Sequence, residues 1–153
     1  MSGGGQYRTS GRLEGRCLCG AVTVKVDGGY IAAIAACHCS MCQRWAGALF
    51  ATFDADADAV QVEGAVTRYP STHFSERAFC PACGSNLWLR DTNVQDAPYE
   101  LMPGPFPAAA EFPLISEIYI DRRPAYLPIV GDHATHTRAE YEAAHNHVEG
   151  DDP

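Results

Sequence analysis

The sequence predicts a mainly β domain of the β-rich α+β class. Three observations support this class: short runs of alternating apolar and polar residues, frequent glycine and proline between those runs, and a single late stretch with helical periodicity. The chain has 153 residues, of which 46% are hydrophobic. This length and composition are sufficient for one compact domain with its own core.

The predicted strands follow one another through the first two thirds of the chain. Val22, Val24 and Val26 alternate with polar residues, and residues 27–29 (Asp-Gly-Gly) predict a turn after them. Further apolar or alternating runs predict strands at 30–36, 48–53, 60–63, 65–69, 74–79, 86–90 and 114–120. Residues 54–59 alternate aspartate with alanine, and we expect a solvated loop there because the like charges repel.

Three further segments complete the predicted architecture. Residues 97–113 contain five prolines, which predicts a long irregular loop that cannot lie in the interior of a sheet. A short turn of helix is expected at 40–45. The late helical stretch covers 137–146.

Charge and hydropathy exclude some classes of partner. Nineteen acidic and eleven basic residues give a net charge of −8, which has the wrong sign for binding nucleic acid or an anionic membrane surface. The first eleven residues are polar and glycine-rich, and no apolar run is long enough to span a bilayer. We therefore expect a cytoplasmic protein, in a reducing compartment where clustered cysteines are metal ligands more often than disulfides.

Seven cysteines lie in three clusters, and the two outer clusters are alike. Each outer pair is followed by a glycine, Gly20 or Gly84, which permits the positive φ of a tight turn around a metal. The four thiols would complete a tetrahedral structural zinc site and join distant segments of the chain. A redox-active pair at the second cluster and buried apolar cysteines at the first are the alternatives. The two pairs are Cys17 with Cys19 and Cys80 with Cys83.

The middle cluster consists of Cys37, Cys39 and Cys42 and has one thiol too few for a closed tetrahedral site. Three protein ligands and one exchangeable position are typical of catalytic zinc, which stabilises a thiolate or polarises an aldehyde. His38 could be a fourth ligand that closes the site, but between two ligating cysteines it should point away and make a supporting hydrogen bond. Free thiols or a transient disulfide remain a further alternative.

These clusters resemble those of the glutathione-dependent formaldehyde-activating family, which includes the centromere protein V type domains. The three matching stretches lie at 15–22, 37–47 and 79–86, and the resemblance extends over about 12–129. It implies several small coiled antiparallel sheets around a structural zinc, and a domain at 12–130 between a flexible N-terminus (1–11) and an acidic, histidine-containing tail (131–153) with a short helix. Two departures from the family pattern, residues 103–107 and Tyr126, concern the substrate pocket rather than the thiols.

The resemblance also implies two zinc ions per chain and an activity. One zinc would be structural, on Cys17, Cys19, Cys80 and Cys83, and the other catalytic, on Cys37, Cys39 and Cys42. Glutathione and formaldehyde would condense to S-hydroxymethylglutathione, a carbon–sulfur lyase type of reaction on a small thiol and an aldehyde. The alternatives are a non-catalytic zinc module that binds a protein and a thiol redox sensor. The sequence does not indicate an oligomeric state.

Other side chains are weaker candidates for the site. Arg44 lies two residues after the third thiol of the middle cluster and could dock a substrate carboxylate, or else form a surface ion pair. The aromatic residues 45 and 50 are expected in the core, although they could line a pocket. His73 and Glu76 could carry protons, but an exposed strand face is the simpler interpretation. Four histidines at 133, 136, 145 and 147 predict a solvated, partly helical terminus rather than a metal-binding tail.

Overall fold

The computed structural model describes residues 3–148, and among them eleven strands and two short α-helices form the fold. The strands are β1 (Arg8–Arg16), β2 (Thr23–Ile31), β3 (Ile34–Cys37), β4 (Phe50–Ala55), β5 (Val60–Glu63), β6 (Thr67–Pro70), β7 (Ser75–Phe79), β8 (Asn86–Asp91), β9 (Tyr99–Leu101), β10 (Leu114–Ile118) and β11 (Ala134–His136). The helices are α1 (Ser40–Ala46) and α2 (Arg138–Ala144). The predicted β-rich α+β class is confirmed.

The strands join in one mixed sheet with the order β11-β10-β3-β4-β9-β8-β7-β6. Strand β2 pairs with β4 and also with β1 and β5. Strands β1, β2 and β5 therefore form a branch of the sheet that starts at β4. The pairings of β10 with β3 and with β11 are parallel, and the others are antiparallel. This order places the ends of β3 and β10 side by side, which is where the middle cysteine cluster begins.

The main core forms where alternating side chains of β2 meet the large apolar residues of the central strands. Val22, Val24 and Val26 are at most 1% exposed, as their spacing predicted. They belong to one cluster with Phe53 and Trp88, which are completely buried. A smaller apolar cluster surrounds the middle cysteines and includes Phe50 of β4. The protein therefore has two packed regions, each with one cysteine cluster at its edge.

Two loop predictions in the first half of the chain are wrong. Residues 27–29 do not form a turn, because β2 continues through them and pairs with β1, with Gly28 opposite Gly11. Residues 54–59 are not a solvated loop: Asp54 and Ala55 end β4, and a 3₁₀ turn at Ala57–Ala59 follows. Ala55 and Ala59 are buried, whereas Asp54 and Asp56 are half-buried and only Asp58 is exposed.

The prediction for residues 97–113 is also wrong in one respect. Strand β9 lies inside the sheet, where it pairs with β4 on one side and β8 on the other. Proline is excluded from the interior of a sheet because it has no amide N–H to donate. Pro98 and Pro103 lie outside β9, so each of its three residues keeps its amide N–H. The rest of the segment is irregular, with a 3₁₀ turn at Pro107–Glu111.

The two ends of the described chain are ordered against the sheet. Residues 8–11 belong to β1, and the predicted late helix is present as α2. Thr137 caps this helix by accepting a hydrogen bond from the Glu140 amide, and the Glu140 carboxylate accepts one from the Thr137 amide. The division at residues 11 and 130 stays a prediction, and residues 1–2 and 149–153 of its outer segments lie outside the described part. Among residues 3–148, no helix has the length and apolar character needed to cross a membrane.

Candidate functional site

The two outer cysteine pairs meet at one point, as predicted from their spacing. The four sulfurs lie within 4.8 Å of one another, with Cys19 Sγ 3.6 Å from Cys17 Sγ and 3.8 Å from Cys80 Sγ. Each pair sits in a tight turn whose glycine has a positive φ, 80° at Gly20 and 76° at Gly84. The Leu18 amide donates to Ser85 Oγ at 2.9 Å and joins the two turns directly.

This four-thiol cluster fits a tetrahedral metal. Zinc–sulfur bonds of about 2.3 Å place the ligand sulfurs about 3.8 Å apart, close to the separations observed here. Cys17 and Cys80 are at most 5% exposed and face the main core, whereas Cys19 is exposed. The donor set is that of a closed structural zinc site, held between the start of β2 and the turn that joins β7 to β8.

The middle cluster is built at the junction of β3 and α1. Cys37 is the last residue of β3, Cys39 caps the N-terminus of α1, and Cys42 lies in its first turn. The Cys42 amide donates to Cys39 Sγ at 3.4 Å. The three sulfurs lie within 4.8 Å of one another, and among residues 3–148 no fourth histidine, cysteine or carboxylate joins the group.

The three thiols of the middle cluster shift one another's pKa in opposite directions. Hydrogen bonds from the thiols of Cys37 and Cys42 lower the pKa of Cys39 to about 3, and the charge of Arg77 acts in the same direction. The Cys39 sulfur in turn raises the pKa of Cys37 well above its ordinary value. The cluster alone therefore holds one thiolate readily, and a cation is needed before all three sulfurs ionise.

His38 points away from the three sulfurs, in agreement with the supporting role predicted for it. Its Nε2 donates to Glu117 Oε1 at 2.7 Å, and both side chains are at most 1% exposed. Glu117 also accepts a hydrogen bond from His133 Nε2 and lies 3.7 Å from Arg123. This buried network, which we call the Glu117 network, fixes the Cys37–Cys39 segment against β10.

We expect Glu117→Ala to lower the free energy of unfolding at pH 7 by about 3–5 kcal/mol, because it leaves buried donors of two histidines without an acceptor. Burial raises the pKa of the Glu117 carboxyl, but hydrogen bonds from His133 and His38 together lower it by more than burial raises it. The pKa therefore lies below its ordinary value of 4.5. The carboxylate thus stabilises the fold above about pH 4.5, and this contribution disappears as the pH falls through the native pKa. Urea unfolding at pH 7 and in acid measures the difference.

The matched control is Glu63→Ala. Glu63 pairs with Lys25 at 3.0 Å on the surface, where the side chains are 64% and 41% exposed, and such a pair contributes about 0–1 kcal/mol. Equal losses of stability for the two variants, or a Glu117→Ala effect that stays constant into acid, would contradict the role given to the Glu117 network.

A cavity of about 90 Å³ opens onto the middle cluster. Its wall contains the ring of Phe50 and the side chains of Leu89 and Ile118 together with charged residues. A second cavity of about 110 Å³ lies beside it, and Glu100 and Tyr141 line both. The three sulfurs thus face a small, partly enclosed space of a size that suits a small molecule or one end of a larger one.

Among the charged residues of this wall, Arg77 and Glu100 were not identified from the sequence. Arg77 of β7 is 4% exposed, and its Nη2 donates to Cys42 Sγ at 3.5 Å. Glu100 of β9 lies opposite Asp54 of β4, and burial together with Asp54 and Asp91 raises the pKa of Glu100 to about 8. Neither belongs to a recognisable motif. Only the pairing of β7, β8 and β9 brings them to the sulfurs.

The C-terminal segment also contributes to the cavity. Tyr141, His147 and Val148 line it, and His147 Nε2 lies 3.0 Å from Asp91 Oδ2 at the end of β8. Tyr119, another lining residue, donates to Glu142 of α2 at 2.9 Å. The prediction of a partly helical terminus is thus confirmed by α2, but the terminus is not fully solvated, because part of 138–148 packs over the site.

The other predicted candidates lie elsewhere. Arg44 is exposed on α1 in a surface depression with Gln43 and Arg122, and is not among the residues that line the cavity. His73 is exposed, and Glu76 accepts a hydrogen bond from Trp88 Nε1 outside the cavity. Trp45 packs in the smaller core cluster, as expected of an apolar aromatic residue.

Comparison with known proteins agrees with the geometry. Residues 12–122 match the family model described as glutathione-dependent formaldehyde-activating enzyme. The chain is 31% identical over 114 residues to a protein of Schizosaccharomyces pombe named an uncharacterized lyase, covering 72% of this chain and 80% of that one. It is 36% identical over 88 residues to a Halomonas elongata protein named "putative glutathione-dependent formaldehyde-activating enzyme", covering 52% of this chain and 56% of that one. All seven cysteines lie within the matched residues.

Proposed function

Because the chain belongs to the glutathione-dependent formaldehyde-activating enzyme family, we propose that it is a zinc-dependent enzyme of the carbon–sulfur lyase type that joins a small thiol to an aldehyde or separates them. The observation that carries this proposal is the group of three thiols at the wall of a cavity, with no fourth protein donor among residues 3–148. Such a set leaves one position for a substrate atom.

The proposal assigns two zinc ions to each chain. Cys17, Cys19, Cys80 and Cys83 hold the structural ion, and Cys37, Cys39 and Cys42 hold the catalytic one. The separation of the sulfurs in each cluster supports this assignment. When bound at the middle cluster, zinc supplies Lewis acidity, which lowers the pKa of a thiol or polarises a carbonyl oxygen.

The chain's own residues supply positioning and a route for the proton. Forming a hemithioacetal moves one proton from the thiol sulfur to the carbonyl oxygen, while a carbon–sulfur bond forms and the carbonyl π bond breaks. Glu100 is placed on the cavity wall to carry that proton, because its raised pKa of about 8 lets it hold a proton near neutral pH. Phe50, Leu89 and Ile118 exclude water from the reacting atoms.

The partners follow from this chemistry. We propose a small thiol such as glutathione and an aldehyde such as formaldehyde as the substrates, without nucleic acid or membrane partners. The cytoplasm suits the protein because a reducing compartment keeps all seven thiols available to metal. Substrate binding by Arg44 stays a prediction, since its exposed guanidinium would act at the outer face of α1.

The test is a direct assay of the condensation. Zinc-loaded protein is mixed with formaldehyde or a larger aldehyde and with glutathione, cysteine or 2-mercaptoethanol, and adduct formation and breakdown are followed by NMR exchange. The spontaneous reaction at the same pH is the control. We expect acceleration for at least one pair, and no acceleration across the panel would reject the proposed function.

Zinc analysis separates the enzyme from the two alternatives. The proposal requires two zinc ions per chain. One ion per chain would favour a structural module that binds a protein, and little zinc with reversible oxidation of the middle cysteines would favour a redox sensor.

A further inference from the structure

Arg77 is a buried cation whose role no sequence motif indicates. It projects from β7, is 4% exposed, and packs against the rings of both Trp45 and Phe50, with its guanidinium carbon 5.2 and 5.6 Å from their centroids. These aromatic contacts fix the plane of the guanidinium beside the middle cluster. They do not neutralise its charge, because a ring offers only a partial negative face.

The hydrogen bonds of Arg77 leave part of this charge without a partner. Nη2 donates to Cys42 Sγ at 3.5 Å, whereas Nη1 is buried and has no hydrogen-bond partner in the described part of the chain. The two carboxyls on the same cavity wall, Asp91 and Glu100, therefore do not reach Nη1. A buried guanidinium whose donors are not all satisfied is costly, so further stabilisation by a nearby negative charge is expected.

The middle cluster provides that charge once a metal is bound. Three thiolates around a divalent cation carry one net negative charge, which the guanidinium neutralises at hydrogen-bond distance. The contact with Cys42 Sγ thus places Arg77 as a counter-charge for the metal-loaded cluster.

We propose that Arg77 is a positioning residue for the middle site: its guanidinium is the counter-cation of the three-thiolate zinc centre and holds the Cys42 sulfur in its ligating position. This inference rests on the proposed zinc binding at Cys37, Cys39 and Cys42. It predicts that Arg77 favours zinc at this site without touching the ion, and that the four-thiol cluster is indifferent to the residue.

Zinc affinity tests the proposal without any substrate. The variants Arg77→Met and Arg77→Lys are titrated with a chromophoric chelator, which reports two zinc ions per chain with separate affinities. We expect Arg77→Met to bind the second zinc at least 10-fold more weakly, and Arg77→Lys, which keeps the charge but loses the planar donor, to be intermediate. The tighter zinc on the four-thiol cluster should be unchanged and shows that the variants are folded.

The matched control is Arg68→Met. Arg68 lies on the neighbouring strand β6 with its guanidinium 5.5 Å from the ring centroid of Trp88, but its side chain is 53% exposed and contacts no cysteine. It should bind both zinc ions like the wild type. Wild-type affinity in either Arg77 variant, or equal weakening by methionine and lysine, would overturn the proposal. If Arg77→Met does not fold, the zinc affinity of Arg77→Lys tests the proposal. Weaker binding of the second zinc ion supports the proposal, and wild-type affinity overturns it.

A wild-type protein with a single zinc would instead reject the proposed function, so the two failures are distinguishable. A second zinc in the wild type that Arg77 does not influence would reject only the role of Arg77.

Discussion

Replacing Cys80 by serine is expected to unfold the protein at room temperature or to lower its melting temperature by more than 10 °C. Cys80 is completely buried at the edge of the main core and is one of the four thiols that join the start of β2 to the β7–β8 turn. Structural zinc contributes about 10–16 kcal/mol in small zinc domains, and a typical domain has only about 5–15 kcal/mol of net stability. Losing a fraction of the zinc contribution is therefore enough to unfold the chain.

Circular dichroism during heating and zinc content per chain measure the effect. Cys42→Ser is the matched control, because Cys42 is equally buried, at 2% exposed, but belongs to the other cluster. It should lose one zinc and keep a cooperative unfolding transition. A Cys80→Ser protein that melts within 2–3 °C of the wild type, a shift of about 1 kcal/mol or less, would show that the four-thiol cluster does not support the fold.

Replacing Cys39 by serine is expected to abolish the acceleration of hemithioacetal formation while leaving the fold intact. Cys39 is the thiol whose ionisation the cluster favours, with its pKa lowered to about 3 by Cys37, Cys42 and Arg77. A serine hydroxyl does not ionise near neutral pH, so the site loses a zinc ligand and the open position with it. We expect a loss of at least about 100-fold, which corresponds to about 2.7 kcal/mol of transition-state stabilisation.

The same variant should contain one zinc per chain instead of two. Leu49→Ser, at an exposed position three residues after α1, is the control for adding a hydroxyl near the site and should keep both ions and the full rate. An active Cys39→Ser protein would place the chemistry elsewhere, for instance on groups of the cavity wall.

Local spacing was sufficient to predict the two outer cysteine pairs and the middle cluster, and the matching form of the two pairs predicted that they share one metal. A pair of thiols two or three positions apart, followed by a glycine such as Gly20 or Gly84, forms its turn from nearby residues alone. The strands at 60–63 and 86–90 were likewise identified by alternation, and the observed bounds are Val60–Glu63 and Asn86–Asp91. Features that depend on residues close together in the sequence, such as these turns and strands, could therefore be predicted.

The charged part of the site depends on strand pairing, which spacing does not encode. Arg77 reaches Cys42 from 35 positions away, and Glu117 reaches His38 from 79 positions away. The central strand β9 was missed because the prolines around it dominate the local signal, and Glu100 was missed with it. Long-range register brings these three side chains to the middle cluster, so a reading of local patterns could not find them.

Because 138–148 packs over the cavity, substitutions in this segment affect the cavity wall, whereas substitutions of cysteines affect the two thiol clusters. The residues matched to the family end at 122, and this final segment holds none of the seven thiols, yet it supplies Tyr141 and His147 to the cavity wall. Substitutions there can reshape the substrate space while both sets of thiols stay in place. Under the proposed function, changes at 138–148 are therefore expected to alter which substrates fit the cavity without removing a thiol from either cluster.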